Sequence, residues 1–228
     1  MKEKIDQMIR NLDAETRERA GRGVLWLMGP EDSEYLRAVQ RKAAQLGVAT
    51  AFSQRVGQRV TVIDTERVKR TGNYLREWYD PDCIYHGGMS CAAEAAFRII
   101  LAADMPEANV AIIGRGHSVQ SLFELLQEFD YTPLPCHSHT KSVARVTEAA
   151  DIIVDGATEA VECCLSGRLI IDTAGKLAEA AEHTRVLCVA RGERPPVYVS
   201  RHEVARLNIS LLLNRAAMFL DGRKPKLL

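Results

Sequence analysis

Short, almost wholly apolar segments recur along the second half of this 228-residue chain, with helical patterns between several of them. Such strands have no wet face, because a strand with one side in water alternates apolar and polar residues. Apolar strands that alternate with helices indicate a parallel sheet covered by helices on both sides. The sequence therefore predicts an α/β protein with a doubly wound parallel sheet, whose strands are Val110–Ile113, Thr132–Cys136, ADIIVDGA, RLIIDTAG, TRVLCVA and PVYVS.

The first third of the chain also alternates between helices and strands, so a smaller N-terminal α/β lobe is expected over residues 1–90. A second domain is expected over residues 91–200, and the last helix, 202–222, is expected to return and complete the first lobe. The other predicted elements are a helix around Ile5–Leu12, a strand at Gly23–Gly29, a helix capped by Asp32 or Ser33 and ended by Gly47, a strand near Val60–Ile63, the partly helical TERVKRTGNYLREWYDP, and the helices CAAEAAFRIILAAD and Ser118–Phe129.

Thirty lysine and arginine residues balance thirty aspartate and glutamate residues, and no long run of like charge occurs. This pattern argues against the basic surface typical of nucleic-acid and anionic-membrane binding, and it favours a small-molecule ligand. The apolar runs are shorter than the roughly 18 residues of a membrane span, and no signal-peptide core is found. A cytoplasmic protein with six reduced cysteines is expected.

The segment VAIIGRGHSVQ is typical of a strand, a glycine turn and the start of a helix. In the dinucleotide fingerprint G-x-G-x-x-G, the first glycine makes the turn and the second lets the backbone approach a diphosphate. Gly114 and Gly116 match these positions, whereas the third glycine is missing. The turn indicates either a nucleotide site, favoured by the free amides of the helix start, or an ordinary connection. For a nucleotide site, Gly114→Val is expected to fill the diphosphate space and leave the fold largely intact.

The segments IIGRGHSVQ, CHSHTKS, ADIIVDGA and LIIDTAG, in this order and spacing, resemble the cofactor-binding domain of the methylenetetrahydrofolate dehydrogenase/cyclohydrolase family. The turn G-R-S-x-x-V-G-x-P of that family aligns with residues 114–122, and its C-H-S-x-T aligns with residues 136–140. The resemblance implies a Rossmann-like domain, a homodimer and an oxidoreductase of one-carbon metabolism. It also implies NAD(P) binding by Gly114, Arg115, Gly116, His117, Ser118, Val119, Ser138 and Thr140.

The residues after the strand Thr132–Cys136 bear on the choice between NAD and NADP. NAD sites usually place an acidic residue roughly 20 positions after the first glycine, where it binds the ribose 2′-hydroxyl. Here the segment is PCHSHTK, without a carboxylate and with Arg115 expected nearby, so NADP is favoured over NAD. Alternatively, His137 and His139 simply cap a surface turn.

The N-terminal lobe departs from the family at the residues that carry its reaction. The family lysine lies in a Y-x-x-x-K motif, but Gln40 stands in its place here, and Tyr35 matches only if the helix is shifted by one residue. Glutamine can hydrogen-bond a substrate carbonyl but cannot carry charge. The Q-L-P-L-P and D-V-D-G segments have no counterpart between Val62 and Gly88. Loss of the lysine is expected to remove ring opening, and with it cyclohydrolase activity, more than hydride transfer. Tyr35 and Gln40 remain the catalytic candidates.

The segment CIYHGGMSC offers replacement residues for a substrate site. His86, followed by Gly87 and Gly88, is predicted to contact the substrate, because two glycines let backbone amides approach a bound group. Cys83 and Cys91 could join this histidine at a metal, but the spacing matches no strong zinc signature and no metal is expected.

Three functions agree with these observations. The first is an NAD(P)-dependent oxidoreductase acting on methylenetetrahydrofolate or a related carrier. The second is a repurposed relative with a smaller substrate, since the chain is shorter between Val62 and Gly88. The third is a protein that binds a nucleotide without catalysis, or keeps only the fold and acts through partners.

Overall fold

The computed structural model describes residues 1–53, 60–64, 80–83, 89–157, 159, 161, 163, 168–175 and 197–222. The chain divides into two compact units, one made of Asp6–Cys91 with Leu207–Leu228 and the other of Met1–Ile5 with Ala92–Arg206. We call them the three-stranded unit and the five-stranded unit after the parallel sheet that each contains.

The three-stranded unit has the strand order β2-β1-β3, with all pairs parallel. Leu25 and Leu27 of the central strand are fully buried, as are Leu36 and Val39 of the helix that follows it. That helix is capped as predicted by Ser33, whose hydroxyl oxygen accepts a hydrogen bond of 3.2 Å from an amide of its first turn. The elements are α1 (Lys2–Arg19), β1 (Val24–Met28), α2 (Glu34–Gln45), β2 (Ala49–Ser53) and β3 (Thr61–Ile63).

The five-stranded unit has the strand order β5-β4-β6-β7-β8, again with all pairs parallel, so the predicted α/β class is confirmed. Its central strands are buried on both faces, as their continuous apolar sequences require. The elements are α3 (Cys91–Ala103), β4 (Asn109–Ile113), α4 (His117–Glu128), β5 (Thr132–Cys136), α5 (Val143–Ala149), β6 (Ile152–Asp155), β7 (Leu169–Asp172), β8 (Val197–Val199) and α6 (Arg201–Leu220), whose residues from Leu207 onward belong to the three-stranded unit.

The order of strands places a topological switch at β4. The chain runs from β4 to β5 on one side and then crosses to β6 on the other side. In open parallel sheets, ligands bind outside the carboxyl ends of the strands at such a switch. The glycine turn Gly114–Gly116 follows β4 directly and therefore lies at this position.

Two elements have no counterpart in the sequence prediction. Strand β2 consists mostly of small or polar residues and lies at the edge of its sheet, partly exposed, so it shows no apolar run. Helix α5 has only seven residues and buries only Thr147, too little for a helical pattern. The predicted stretches TERVKRTGNYLREWYDP and TRVLCVA lie almost wholly or wholly outside the described residues. Among the helices that are described, none is long and apolar enough to cross a membrane.

Candidate functional site

The two glycines of the turn have different structural roles. Both have positive φ, 125° for Gly114 and 112° for Gly116. A Cβ atom on Gly114 would lie 2.7 Å from the carbonyl oxygen of Gly156, whereas one on Gly116 would have no atom of the described residues within 4 Å apart from its chain neighbours. Gly114 therefore lets the turn pack against the end of β6, and Gly116 faces open space. The expectation that Gly114→Val leaves the fold intact is wrong, because the new side chain would collide with backbone rather than enter a ligand site.

The start of α4 presents free amides beside this turn. The first amides of any helix have no partner within it, and here Gly116 is the N-cap residue and supplies no capping side chain. The helix dipole adds partial positive charge at the same end. A diphosphate fits this position, because the amides and the dipole of the helix attract negative charge and Gly116 has no side chain to block its approach.

Two cavities lie on either side of the turn. The larger cavity, about 440 Å³, is lined by Gly114 and by Ser138 and Thr140 from the loop after β5. The smaller cavity, about 270 Å³, is lined by residues of α3 and by His117, Ser118 and Val119 of α4. Two residues, Arg115 and Gly156, line both cavities. The predicted cofactor residues are thus brought together around the turn.

The loop after β5 folds back on itself. The hydroxyl oxygen of Thr140 accepts from the amide of His137 at 3.0 Å, and the Thr140 amide donates to the His137 carbonyl at 2.8 Å. The Nδ1 atom of His137 accepts from the amide of His139 at 3.1 Å. Both histidines are exposed, so His137 does cap this turn while the loop also borders the larger cavity.

Sequence reasoning missed Glu159, an exposed carboxylate that also lines the larger cavity. In NAD sites the acidic residue usually lies at the position of the loop after β5. Glu159 instead follows β6, and only the three-dimensional structure places it at the same cavity as Ser138.

Two buried aspartates end neighbouring strands of the five-stranded unit. Asp155 ends β6 and Asp172 ends β7, and the two residues are partners in the parallel register. Burial, together with the charge of Asp172, raises the pKa of Asp155 to about 6, although a 3.1 Å hydrogen bond from the Ala157 amide opposes this. The hydroxyl of Tyr198 donates to Asp172 at 2.6 Å. In the sequence, the indication of this pair is an aspartate at the end of each of the two apolar strands.

These carboxylates hold the loops that form the cavity walls. The Ala157 amide is bonded to Asp155, and the Gly175 amide donates to Asp172 at 2.5 Å. The Thr173 hydroxyl donates to the Asp155 carbonyl at 2.6 Å and so links the two loops. Gly156 and Thr173 both line the smaller cavity, which is therefore shaped by this network.

In the three-stranded unit, Tyr35 lies among acidic residues that sequence reasoning did not connect with it. Burial raises the pKa of Tyr35 well above its usual value, and the nearby negative charges of Asp82, Asp80 and Asp64 add to this. Asp82 also caps α3, because its carboxylate accepts from the Cys91 amide at 2.9 Å. Burial raises the pKa of Asp82 itself to about 6. Tyr35 is thus held protonated beside carboxylates.

A buried arginine fixes the segments around Tyr35. The guanidinium of Arg215 in α6 donates to the carbonyl of Pro81 at 3.1 Å and to that of Met89 at 2.7 Å. Only 4% of Arg215 is exposed, so these bonds are protected from water. The described segments on both sides of the predicted substrate residues, His86–Gly88, are therefore tied to one side chain.

The remaining candidates are placed as follows. Gln40 is partly buried on α2, five residues after Tyr35, and positions five apart lie about 140° apart around a helix. The two catalytic candidates therefore do not share a face of α2. His86, Gly87 and Gly88 lie outside the described residues. Within the part of the chain that is described, no group of three histidine, cysteine, aspartate or glutamate residues could hold a metal ion.

Several solved structures are similar to this chain over nearly its whole length. The bifunctional 5,10-methylenetetrahydrofolate dehydrogenase/cyclohydrolase of Thermoplasma acidophilum superposes with a TM-score of 0.71 at 17% identity, covering 97% of this chain and 98% of its own. The bifunctional enzyme of Campylobacter jejuni gives a TM-score of 0.69 at 10% identity, covering 96% of each chain. The chain has the fold of these enzymes.

A third similar structure is the 5,10-methylenetetrahydrofolate dehydrogenase of the silkworm Bombyx mori. It has a TM-score of 0.67 at 13% identity and covers 96% of this chain and 95% of its own. The amino-acid sequence matches no protein-family model and no curated protein. The resemblance drawn from the glycine turn and the C-H-S-x-T segment is therefore confirmed at the level of the fold.

Proposed function

We propose that this chain is an NAD(P)-dependent oxidoreductase acting on 5,10-methylenetetrahydrofolate or a related one-carbon carrier. The observation that carries the proposal is the position of the glycine turn between two cavities that share Arg115 and Gly156. A dinucleotide consists of two halves joined by a diphosphate. A pocket on each side of an uncapped helix start matches that shape.

The larger cavity is assigned to the adenosine half. Arg115, Ser138 and Thr140 border it, and a guanidinium with two hydroxyls suits a phosphorylated ribose. NADP is the preferred cofactor because the loop after β5 carries no carboxylate. Glu159 borders the same cavity and is the residue that would favour NAD instead.

The smaller cavity is assigned to the nicotinamide half. When bound, the nicotinamide ring supplies hydride acceptance, which no amino-acid side chain can provide. The residues of the chain bind and orient the ring. Ala93, Ala96 and Leu122 form apolar walls that exclude water, and the loops tied by Asp155 and Asp172 shape the far side.

Loss of the ring-opening step is part of the proposal. Hydrolysis of a folate intermediate requires a group that stabilises developing charge and moves protons. Gln40 can donate a hydrogen bond but carries no positive charge and cannot transfer a proton, and Tyr35, with its raised pKa, can donate a hydrogen bond but is a poor general base at neutral pH. The three-stranded unit would then hold the substrate without opening it. Pairing of two chains and contact by His86–Gly88 stay predictions.

Replacement of the family lysine by Gln40 favours a second candidate, a relative that binds the nucleotide without catalysis. Calorimetry with NADP⁺ and NAD⁺, followed by a NADP⁺ reduction assay with 5,10-methylenetetrahydrofolate, separates the two. We expect micromolar NADP⁺ binding, reduction of NADP⁺ and no hydrolysis of the methenyl product. Binding without reduction would support the second candidate, and absence of any dinucleotide binding would exclude both. Gln120→Ala, in α4 but outside both cavities, should behave as the wild type.

A further inference from the structure

His117 carries a polar atom that the protein itself leaves unused. It is the first residue of α4 and lines the smaller cavity. Its Nε2 atom is buried and has no hydrogen-bond partner among the residues that the structure describes. Native structures pair nearly all such atoms, with protein, ordered water or ligand, because a buried polar atom without a partner is unfavourable.

The backbone around this histidine is well supported, so the missing partner is not a sign of a loose helix end. The His117 carbonyl accepts from the hydroxyl of Ser121 at 2.8 Å. The next turn is closed by the bond from the Gln120 amide to the Gly116 carbonyl, at 3.1 Å. The backbone of His117 is thus part of a regular helix at the cavity wall.

Besides His117, the polar side chains that line the smaller cavity in the described part of the chain are those of Arg115, Ser118 and Thr173. Ala93, Ala96, Leu122 and Val154 contribute apolar surface. The hydroxyl hydrogen of Thr173 is already donated to the Asp155 carbonyl. Ligand sites of this kind are mainly apolar, and a small number of polar groups fix the ligand's orientation.

We infer that the Nε2 atom of His117 hydrogen-bonds the nicotinamide riboside half of the dinucleotide and determines how tightly the smaller cavity holds it. This rests on the proposed dinucleotide function and adds a specificity-determining residue to it. A neutral imidazole can either donate or accept at Nε2, so it can pair with a ribose hydroxyl or with the ring carboxamide. The adenosine half, on the other side of the turn, does not depend on this atom.

The test compares two ligands and three variants by calorimetry. NADP⁺ reports on both cavities, whereas adenosine 2′,5′-bisphosphate reports on the larger cavity and on the phosphate position at the turn. His117→Ala should weaken NADP⁺ binding about tenfold and leave adenosine 2′,5′-bisphosphate binding within twofold. His117→Gln, which retains a polar side chain, should recover part of the loss. Gln120→Ala is the matched control, because its exposed side chain bonds Glu124 and lines neither cavity.

Each outcome separates this inference from the function on which it rests. If the wild type binds neither ligand, the dinucleotide proposal fails and the role of His117 fails with it. If the wild type binds both and His117→Ala changes neither, only the role of His117 is overturned. Equal weakening of both ligands would place the histidine at the phosphate and also overturn the inference. Thermal unfolding midpoints within about 3 °C of the wild type establish that the variants are folded.

Discussion

Asp155 and Asp172 face each other in register at the carboxyl ends of two neighbouring parallel strands, and both carboxyl groups are buried. Among the described residues, the Tyr198 hydroxyl and the Gly175 amide both donate to the Asp172 carboxylate, whereas the Asp155 carboxylate accepts one bond, from the Ala157 amide. The better-bonded Asp172 is therefore the better place for a negative charge. Burial and this neighbouring charge raise the pKa of Asp155 to about 6.

The first prediction is that Asp155 makes the protein less stable as the pH rises. Its pKa is 3.8 unfolded and about 6 folded, so the folded state binds the proton more tightly. The free energy of unfolding should therefore fall between about pH 4 and pH 6 and then level off. Asp155→Asn should remove this fall and be more stable than the wild type at pH 8 by up to about 3 kcal/mol.

Urea unfolding from pH 4 to pH 8 measures this effect. Asp130→Asn is the control, since Asp130 is exposed and its backbone, with a φ of 60°, tolerates asparagine. That variant should follow the wild type at every pH. A variant of Asp155 that is less stable than the wild type at pH 8 would contradict the raised pKa.

The second prediction distinguishes the two glycines of the turn. Alanine at either position costs roughly 1–3 kcal/mol through the positive φ. Only Gly114→Ala adds a collision, since its Cβ would lie 2.7 Å from the Gly156 oxygen. Gly114→Ala should therefore lower the free energy of unfolding by about 2 kcal/mol more than Gly116→Ala does.

Gly116→Ala should remain folded and lose affinity for NADP⁺, because its Cβ points into the open space proposed for the diphosphate. Urea unfolding and calorimetry on the two variants measure both effects. Equal stability of the two variants, or full NADP⁺ affinity in folded Gly116→Ala, would contradict the assignment of the two glycines.

The features that could be predicted from the sequence are local ones. Strands β4, β6 and β7 are continuous apolar runs, and the cap Ser33 precedes a helical pattern, so each follows from a few adjacent residues. The glycine turn could be predicted for the same reason. Strand β2 could not, because an edge strand of small residues leaves little apolar surface to form a pattern.

The features that could not be predicted depend on register and on distant segments. The pairing of Asp155 with Asp172 requires the alignment of two strands 17 positions apart. The carboxylates around Tyr35 come from segments that follow β3 or precede α3, far from α2 in the sequence. Likewise, that no described residue pairs with the Nε2 atom of His117 becomes visible only once the neighbouring donors and acceptors have positions.

The third prediction concerns Arg215 and the segments near Tyr35. Arg215→Met keeps the bulk of the side chain but leaves the carbonyls of Pro81 and Met89 without this donor. We expect the free energy of unfolding to fall by about 3 kcal/mol, with Arg215→Lys falling less because an ammonium can still bond one carbonyl. Urea unfolding measures this, with Arg41→Met, which replaces an exposed arginine of α2, as the control. Equal losses at positions 215 and 41 would contradict the buried role.

The fourth prediction concerns the ion pair between Lys42 and Asp13, which joins α2 to α1. The side chain of Asp13 is 10% exposed, and its second oxygen accepts from the Ser210 hydroxyl at 3.0 Å. Removing the lysine leaves a buried carboxylate with one neutral partner, which is costly because the charge is poorly solvated. Lys42→Met should therefore lower the free energy of unfolding by about 2 kcal/mol, measured by urea unfolding.

A double-mutant cycle with Asp13→Asn tests whether this loss comes from the pair itself. Once the carboxylate is replaced by a neutral amide, Lys42→Met should cost less than about 1 kcal/mol, because no buried charge is left without its partner. The exposed pair of Arg19 with Glu15 is the control, since the Glu15 side chain is 53% exposed. Arg19→Gln should change stability by less than about 0.5 kcal/mol. An equal cost of Lys42→Met in both backgrounds would mean that lysine packing, and not the charge pair, stabilises the contact between α1 and α2.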